Sequence, residues 1–244
     1  MRTLVFARRT AKEILRDPLS LGFGLGFPVI LLLLMTAIQK NIPVSLFELR
    51  TLTPGITVFG LSFISLFSAT LVAKDRGGSL IARLRSSPMT GGNFIFGYLL
   101  PLLPMAVCQM LVSYLVALAL GLTWTPRILL SIVVQLPAAL FFLAVGLVCG
   151  CCFTEKQVGG ICGALMTNLS AWLSGAWFDL KLVGGAFETI AYLLPFANAT
   201  DAGRAALSGD MDGFAKPFLI TCIYGVFGIG VAIAVCRRRI AHSE

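Results

Sequence analysis

The sequence predicts an all-α polytopic membrane protein, and three observations support this fold class. Hydrophobic residues make up 57% of the 244 residues, and the mean hydropathy is +0.91. Charged residues make up only 12% of the chain, about half the fraction that a soluble domain carries. These charges fall in short clusters between long uncharged runs, as is typical of a chain whose main solvent is lipid. The composition therefore excludes a soluble globule, a disordered tail and a disulfide scaffold.

Six uncharged runs are each long enough to cross a bilayer as a helix, which needs about 20 residues. They are residues 19–38, 53–73, 94–122, 128–153, 158–178 and 217–236. None alternates between polar and apolar residues as a barrel strand would, so we expect six transmembrane helices. Pro101 and Pro104 lie near the start of the third run and are expected to kink it or delay its start. Gly146 and Gly150 have the spacing that lets helices approach closely.

The distribution of Lys and Arg predicts the orientation. If the runs alternate across the membrane, 13 of the 19 Lys and Arg residues fall on one side and 6 on the other. Cytoplasmic loops carry the excess of positive charge. We therefore expect both termini in the cytoplasm of a multi-pass protein of the cell membrane, whether plasma or inner.

Residues 1–18 are predicted to form an amphipathic helix that lies on the membrane surface. The apolar residues on one face are Leu4, Ala7, Ala11, Ile14, Leu15 and Pro18. Basic residues occupy most of the other face and would lie toward lipid phosphates. A plain positive anchor for the first span is an equally open alternative. Pro18 is expected to end this helix.

Residues 74–93 form the most informative predicted cytoplasmic segment. Gly77 and Gly78 break the preceding helix, and Ser79 can cap a new short one. Leu80 and Leu84 then share a face, before Pro88 ends the helix. Exposed apolar patches usually mark a contact, so this segment is expected to dock on a partner. A solvated turn that anchors the span by its charges is the alternative.

Residues 179–216 form the longest predicted external loop. Its apolar stretch 183–194 is too short to cross and is expected to enter the outer leaflet as a half-helix that ends at Pro195. A second short helix, at about residues 200–207, carries Asp201 and Arg204 at a spacing of three. Such pairs are usually marginal surface pairs worth about 0–1 kcal/mol.

The interior of the spans contains few polar groups. Gln109, Gln135 and Asn168 are the strongest; they would line a pathway or bond between helices, and we favour the structural role. No titratable acidic or basic side chain lies within a span, which argues against a proton-coupled transporter. The seven cysteines lack metal-ligand spacing, and we interpret Cys149, Cys151 and Cys152 as small apolar helix residues.

Catalytic and nucleic-acid-binding signals are missing from the sequence. There is no phosphate-binding loop of the form G-x-x-x-x-G-K-[ST], no H-E-x-x-H and no G-x-S-x-G. The basic residues form no continuous face that could bind nucleic acid. The residues outside the spans are too scattered to build a separate catalytic domain. If the protein uses ATP, another chain must hydrolyse it.

Two patches resemble the permease subunit of type-2 ATP-binding-cassette exporters, in the short bacterial six-span form. The first runs from Asp75-Arg76-Gly77-Gly78-Ser79-Leu80 through Leu84 and Pro88 to Gly97. The second runs from Leu173-Ser174-Gly175-Ala176-Trp177-Phe178 through Leu194-Pro195 to Asp201 and Arg204. Their order on six spans is similar to that of the family over nearly the whole chain.

The resemblance implies two permeases, as a homodimer or with a paralogue, and two separate ATPase subunits. It implies that Arg76, Gly78, Leu80, Arg83, Leu84 and Pro88 form an ATPase-docking segment, and that Glu188, Pro195, Asp201 and Arg204 lie at an external gate. ATP and Mg²⁺ would be bound by the partner, and we expect no cofactor in this chain. The exported substrate would be a drug, an antibiotic, a peptide or a lipid.

Two other functions remain open from the residues alone. One is a membrane immunity or interaction protein that binds its target without transport. The other is a secondary carrier built from two three-helix repeats, although the two halves show no convincing similarity. A P-loop ATPase encoded in the neighbouring reading frame would favour the exporter over both.

Overall fold

The computed structural model describes residues 2–42, 47–78 and 91–242, and these residues form helices without any strand. Five helices are long: α2 (Pro18–Gln39), α3 (Leu49–Gly77), α4 (Gly91–Ala119), α5 (Arg127–Cys152) and α11 (Met211–His242). The shorter elements are α1 (Arg2–Leu15), α6 (Glu155–Val158), a π-helical segment (Gly159–Met166), α7 (Thr167–Leu173), α8 (Leu180–Val183), α9 (Gly185–Leu193) and α10 (Pro195–Ser208).

The five long helices are each long and apolar enough to cross a membrane. This confirms the prediction of an all-α polytopic membrane protein. The run 158–178 instead forms α6, the π segment and α7 in direct succession, and helical structure ends at Leu173. Gly175 follows with a φ of +65°, a left-handed conformation that stops a helix. A sixth span therefore remains a prediction.

Helix α3 lies at the centre of the bundle. The buried share of its apolar stretch is 78%, against 22% for α2 and 17% for α11. Small residues let α5 approach it closely, because a side chain at Gly146 would collide with Ser65 and Ser68 of α3. A Cβ atom at Gly150 would lie 2.6 Å from the carbonyl oxygen of Ala69. The structure thus uses both glycines for close helix packing.

The first two helices meet at Asp17. The side chain of Asp17 accepts a hydrogen bond from the backbone N–H of Ser20 at 3.1 Å, so Asp17 caps α2 and Pro18 is its first residue. Proline is favoured at this position because its missing N–H would be unpaired there. The predicted helix 1–18 is therefore shorter and ends at Leu15.

The buried face of α1 differs from the predicted apolar stripe. Phe6 and Ile14 are buried in the core, whereas Leu4 and Leu15 are 66% and 73% exposed. The spacing of three and four fits more than one face of this short helix, and the bundle selects the face that carries Phe6. Helix α4 is continuous through Pro101 and Pro104, so neither proline delays its start, and the kink stays a prediction.

The segment between Leu173 and α11 folds into three short helices, of which α10 is the most buried. Helix α10 begins at Pro195, five residues before the predicted start, and ends at Ser208, where Gly209 caps it in the left-handed conformation. The ring centroid of Phe196 lies 6.0 Å from that of Phe141 and 5.6 Å from that of Phe142. Both partners are midway along α5. The turn between α9 and α10 therefore lies deep in the bundle, with α10 returning toward the start of α5.

Candidate functional site

A buried carboxylate, Asp75, joins three helices at one end of the bundle. This end carries α1, the last turn of α3 and the C-terminal turns of α5 and α11, and we call it the basic end. Asp75 is 5% exposed. Arg9 of α1 donates to both of its carboxylate oxygens, at 2.8 and 3.0 Å, and the hydroxyl of Tyr98 in α4 donates to it at 2.6 Å.

The charge of Asp75 is compensated within this cluster. Two parallel N–H···O bonds from a guanidinium are among the strongest pairings available to a carboxylate. The hydrogen bond to Asp75 raises the pKa of Arg9 above its ordinary value, so the guanidinium stays charged. Glu13, one turn along α1, also contacts Arg9 at 2.8 Å. The ion pair fixes α1 onto the end of α3.

Aromatic rings pack beside this ion pair. The ring centroid of Tyr98 lies 5.0 Å from that of Phe6 and 4.9 Å from that of Phe94. Gly97 makes room for this cluster, because any side chain there would collide with the ring of Phe6. Packing against Phe6 therefore explains why a glycine stands at position 97, the last residue of the first patch that resembles the family.

Arg76 connects the end of α3 to the end of α5. Its guanidinium donates to the carbonyl oxygens of Cys151 and Phe153, the latter at 2.7 Å. The last carbonyls of a helix lack partners within the helix and carry partial negative charge, so a cation is favoured there. Of the other predicted docking residues, Gly78 caps α3 in an extended conformation. Leu80, Arg83, Leu84 and Pro88 lie outside the described residues.

A second polar cluster lies at the opposite end of the bundle, which we call the loop end. Arg204 of α10 donates to the carbonyl oxygen of Thr51 at 2.9 Å and to that of Gly175 at 2.7 Å. It also contacts Asp201 at 3.4 Å. The predicted pair at a spacing of three is thus part of a larger network, in which Arg204 joins α10 to the start of α3 and to the turn after α7.

Tyr192 and Asn198 complete the loop-end cluster. The hydroxyl of Tyr192 donates to Asp201 at 2.8 Å. Burial, followed by the negative charge of Asp201, raises the pKa of Tyr192, so this side chain remains a neutral donor. Asn198 donates to the carbonyl oxygens of Tyr192 and Leu194, both at 2.8 Å, which fixes the turn between α9 and α10.

A cavity of about 720 Å³ adjoins the loop-end cluster and is lined in part by Asp201 and Arg204. Of the other predicted gate residues, Pro195 is buried at the start of α10. Glu188 is half-buried on α9 and makes no ion pair with the described residues. The structure therefore unites Asp201 and Arg204, together with Tyr192, which the sequence analysis missed.

The three polar residues predicted inside the spans have different surroundings. Gln135 donates to the carbonyl oxygen of Pro54 at 3.0 Å and accepts from Thr57 at 2.7 Å, so it bonds α5 to α3. Gln109 is fully buried and packs against Gly60. A side chain at position 60 would collide with the amide of Gln109. Asn168 is exposed and donates to the carbonyl oxygen of Ala164 in the preceding turn.

A disulfide joins Cys151 at the end of α5 to Cys236 near the end of α11, with Cα atoms 5.6 Å apart. The interpretation of Cys151 as only a small apolar residue was therefore wrong. The sequence carried no signal for this pairing, because the two residues are 85 positions apart. Within the described ranges, no cluster of His, Cys, Asp or Glu could hold a metal ion.

Comparison with known proteins identifies the family of the chain. No curated protein sequence shows a significant match. The family model described as ABC-2 type transporter matches residues 1–207, a range that includes both polar clusters and most of the bundle. The resemblance inferred from the two sequence patches is thereby confirmed. The chain belongs to the ABC-2 type transporter family and is a multi-pass membrane permease component of an ABC transporter.

Proposed function

We propose that the chain is the permease subunit of an ATP-driven exporter. Two permeases, identical or paralogous, would form the substrate path, and a separate nucleotide-binding subunit would hydrolyse ATP. Membership of the ABC-2 family supports a permease and implies an ABC ATPase partner. The observation that supports the finer proposal is the anchoring of Asp75 by α1 and α4, because Asp75 lies at the start of the predicted docking segment 74–93.

The cluster around Asp75 offers a mechanical route from the docking segment into the bundle. Residues 79–90 connect the end of α3 to the start of α4. The two helices that hold this segment are joined by the hydrogen bond between Asp75 and Tyr98. Arg9 and Arg76 add α1 and α5 to the same unit. A displacement imposed on the segment by an ATPase would therefore move four helices together.

The loop end would act as the external gate. Arg204 holds α10 against the start of α3 through the carbonyl oxygen of Thr51. The same α3 carries Asp75 at its other end, so a tilt of α3 at the basic end would strain the contacts of Arg204. The deep position of the α9–α10 turn supports a re-entrant role for residues 179–216. The cavity of about 720 Å³ beside Arg204 would then widen as the gate opens.

The exposed face of the π segment and α7 would contact the second permease and line the substrate path between the two permeases. Leu165 and Trp172 are 58% and 56% exposed, and the exposed Asn168 lies between them. An amide on an otherwise apolar face can bond across a helix interface. This exposure supports a pathway role for Asn168, in contrast to the buried Gln109 and Gln135.

The docking step can be tested by co-expressing the chain with its ABC ATPase and purifying the complex through a tag on the permease. Burial of one leucine contributes roughly 1.5–3 kcal/mol, and 1.4 kcal/mol is about tenfold in affinity. Leu84→Asp should therefore weaken ATPase binding by well over tenfold, because it also buries an unpaired charge. The permease alone should hydrolyse no ATP.

Leu182→Asp is the matched control, because Leu182 is 78% exposed on α8, at the loop end. It makes the same chemical change and should retain the ATPase. Equal insertion of both variants with undiminished ATPase binding by Leu84→Asp would contradict docking through this segment.

A further inference from the structure

We propose that the cavity between α1, α2 and α3 at the basic end binds the phosphate headgroup of an anionic glycerophospholipid. The cavity has a volume of about 930 Å³, which is ample for a glycerophosphate headgroup and its hydration water. It lies beside the Arg9–Asp75 ion pair but uses mostly other side chains. The proposal concerns lipid binding and stands apart from ATPase coupling.

The charge of the cavity favours an anion. Five cationic side chains line it, against the two acidic side chains of Glu13 and Asp17. Arg9 is engaged with Asp75 and Glu13. The other four cations are exposed: Arg8 and Lys12 on α1, Arg16 directly after it, and Lys74 on α3. Cations from two helices therefore converge on one concavity, which suits a phosphate better than cations spread along one helix face.

The apolar surroundings favour a lipid over a free anion. Phe67 and Leu71 of α3 form part of the cavity wall and are buried beneath it. Val5 on the rim is 72% exposed. Helix α2 starts at the same rim and exposes large hydrophobic side chains along its length: Phe23, Ile30, Leu33 and Leu34. Acyl chains could lie along α2 while the headgroup occupies the cavity.

The cavity is held in shape by contacts that do not need the lipid. The ion pair of Arg9 with Asp75 fixes α1 against α3. Asp17 caps α2 through Ser20, at 3.1 Å to its backbone N–H and 2.8 Å to its hydroxyl. A preformed site loses less conformational entropy on binding. An ATPase surface is a less suitable occupant, because it would have to insert a protruding acidic element into this concavity.

The test is native mass spectrometry of the delipidated full-length protein, titrated with phosphatidylglycerol or with phosphatidylcholine. We expect one phosphatidylglycerol per chain to bind with clear preference. The variant Arg8→Gln/Lys12→Gln/Lys74→Gln should lower that affinity about 100-fold, since each cation near an anionic lipid contributes roughly fivefold. The control Lys40→Gln/Lys156→Gln/Lys216→Gln removes as many charges elsewhere and should bind as the unmodified chain does.

Three outcomes would overturn the proposal. The first is equal phosphatidylglycerol affinity of the cavity variant and the control. The second is displacement of the lipid by millimolar inorganic phosphate, which would indicate a site for a soluble anion. The third is loss of ATPase binding by the cavity variant with lipid affinity unchanged, which would assign this surface to the ATPase.

Discussion

Arg9 and Asp75, which are 66 positions apart in the sequence, form a two-bonded ion pair that fixes the first helix onto the end of the central helix. The side chain of Asp75 is 4% exposed, whereas that of Arg9 is 39% exposed. The carboxylate therefore depends on this partner more than the guanidinium does. In the proposed exporter, the pair marks the point at which an ATPase would act on the bundle.

Breaking this ion pair from one side should destabilise the protein. We expect Arg9→Gln to cost about 2 kcal/mol, somewhat less than for a fully buried pair, because it leaves a buried carboxylate without its cation. The double variant Arg9→Gln/Asp75→Asn should recover part of that loss. Thermal unfolding in detergent measures the two single variants, Arg9→Gln and Asp75→Asn, and the double variant. Arg239→Gln is the control, since Arg239 is exposed. A double variant as unstable as the sum of the two single variants would contradict the pairing.

Gly97 should tolerate no side chain. Gly97→Ala would collide with the ring of Phe6, and overpacking of this kind typically costs about 1–3 kcal/mol. Adding Phe6→Leu should relieve the collision and restore part of the stability. Gly22→Ala on α2 is the matched control, because a Cβ atom there meets nothing within 4 Å. Equal thermal stability of Gly97→Ala and Gly22→Ala would disprove the close approach of α1 to α4.

Arg204 should be needed for transport but not for ATPase binding. Arg204→Lys keeps the charge but cannot donate to Thr51, Gly175 and Asp201 together, so we expect it to behave nearly as Arg204→Gln does. Both variants should lower substrate export by proteoliposomes at least tenfold while the ATPase still copurifies. Lys216→Gln, a nearby charge removal, should export normally. Full export by Arg204→Lys would show that only the charge matters there.

Replacement by alanine should lower the stability of the protein at Gln135 but alter transport at Asn168. Gln135→Ala removes two hydrogen bonds between α3 and α5 and should lower stability by about 1–3 kcal/mol, because buried groups lose their partners. Asn168→Ala should leave the unfolding temperature unchanged and alter transport instead. The comparison needs both a melting curve and an export assay. A destabilised Asn168→Ala variant with normal export would remove Asn168 from the proposed path.

The sequence predicted those parts of the fold that depend on hydropathy and local signals. Long apolar runs identified α2, α3, α4, α5 and α11, since lipid solvation requires such runs. Helix α10 was predicted only in part: the expected range of about 200–207 lies within it, but Pro195, which begins it, was assigned to the end of the preceding half-helix. The spacing of Asp201 and Arg204 gave their contact with each other.

Other features depend on long-range packing and could not be read from spacing. The burial of Asp75 requires Arg9 and Tyr98 from two distant helices, so no local pattern around position 75 predicts it. Phe6 is buried because Gly97 leaves room for it, which no pattern within residues 1–18 reveals. Arg204 reaches Thr51 across 153 positions, and the Cys151–Cys236 pair likewise depends on how α5 and α11 meet.

Photocrosslinking from position 84 tests the central claim most directly. A photoreactive amino acid would replace Leu84 in the full chain, co-expressed with the ABC ATPase in intact membranes, and in a parallel sample it would replace Leu182. The account predicts a strong crosslink to the ATPase from position 84 and none from position 182. A crosslink from position 182, or from neither position while the ATPase still copurifies, would contradict docking through the segment that follows Asp75.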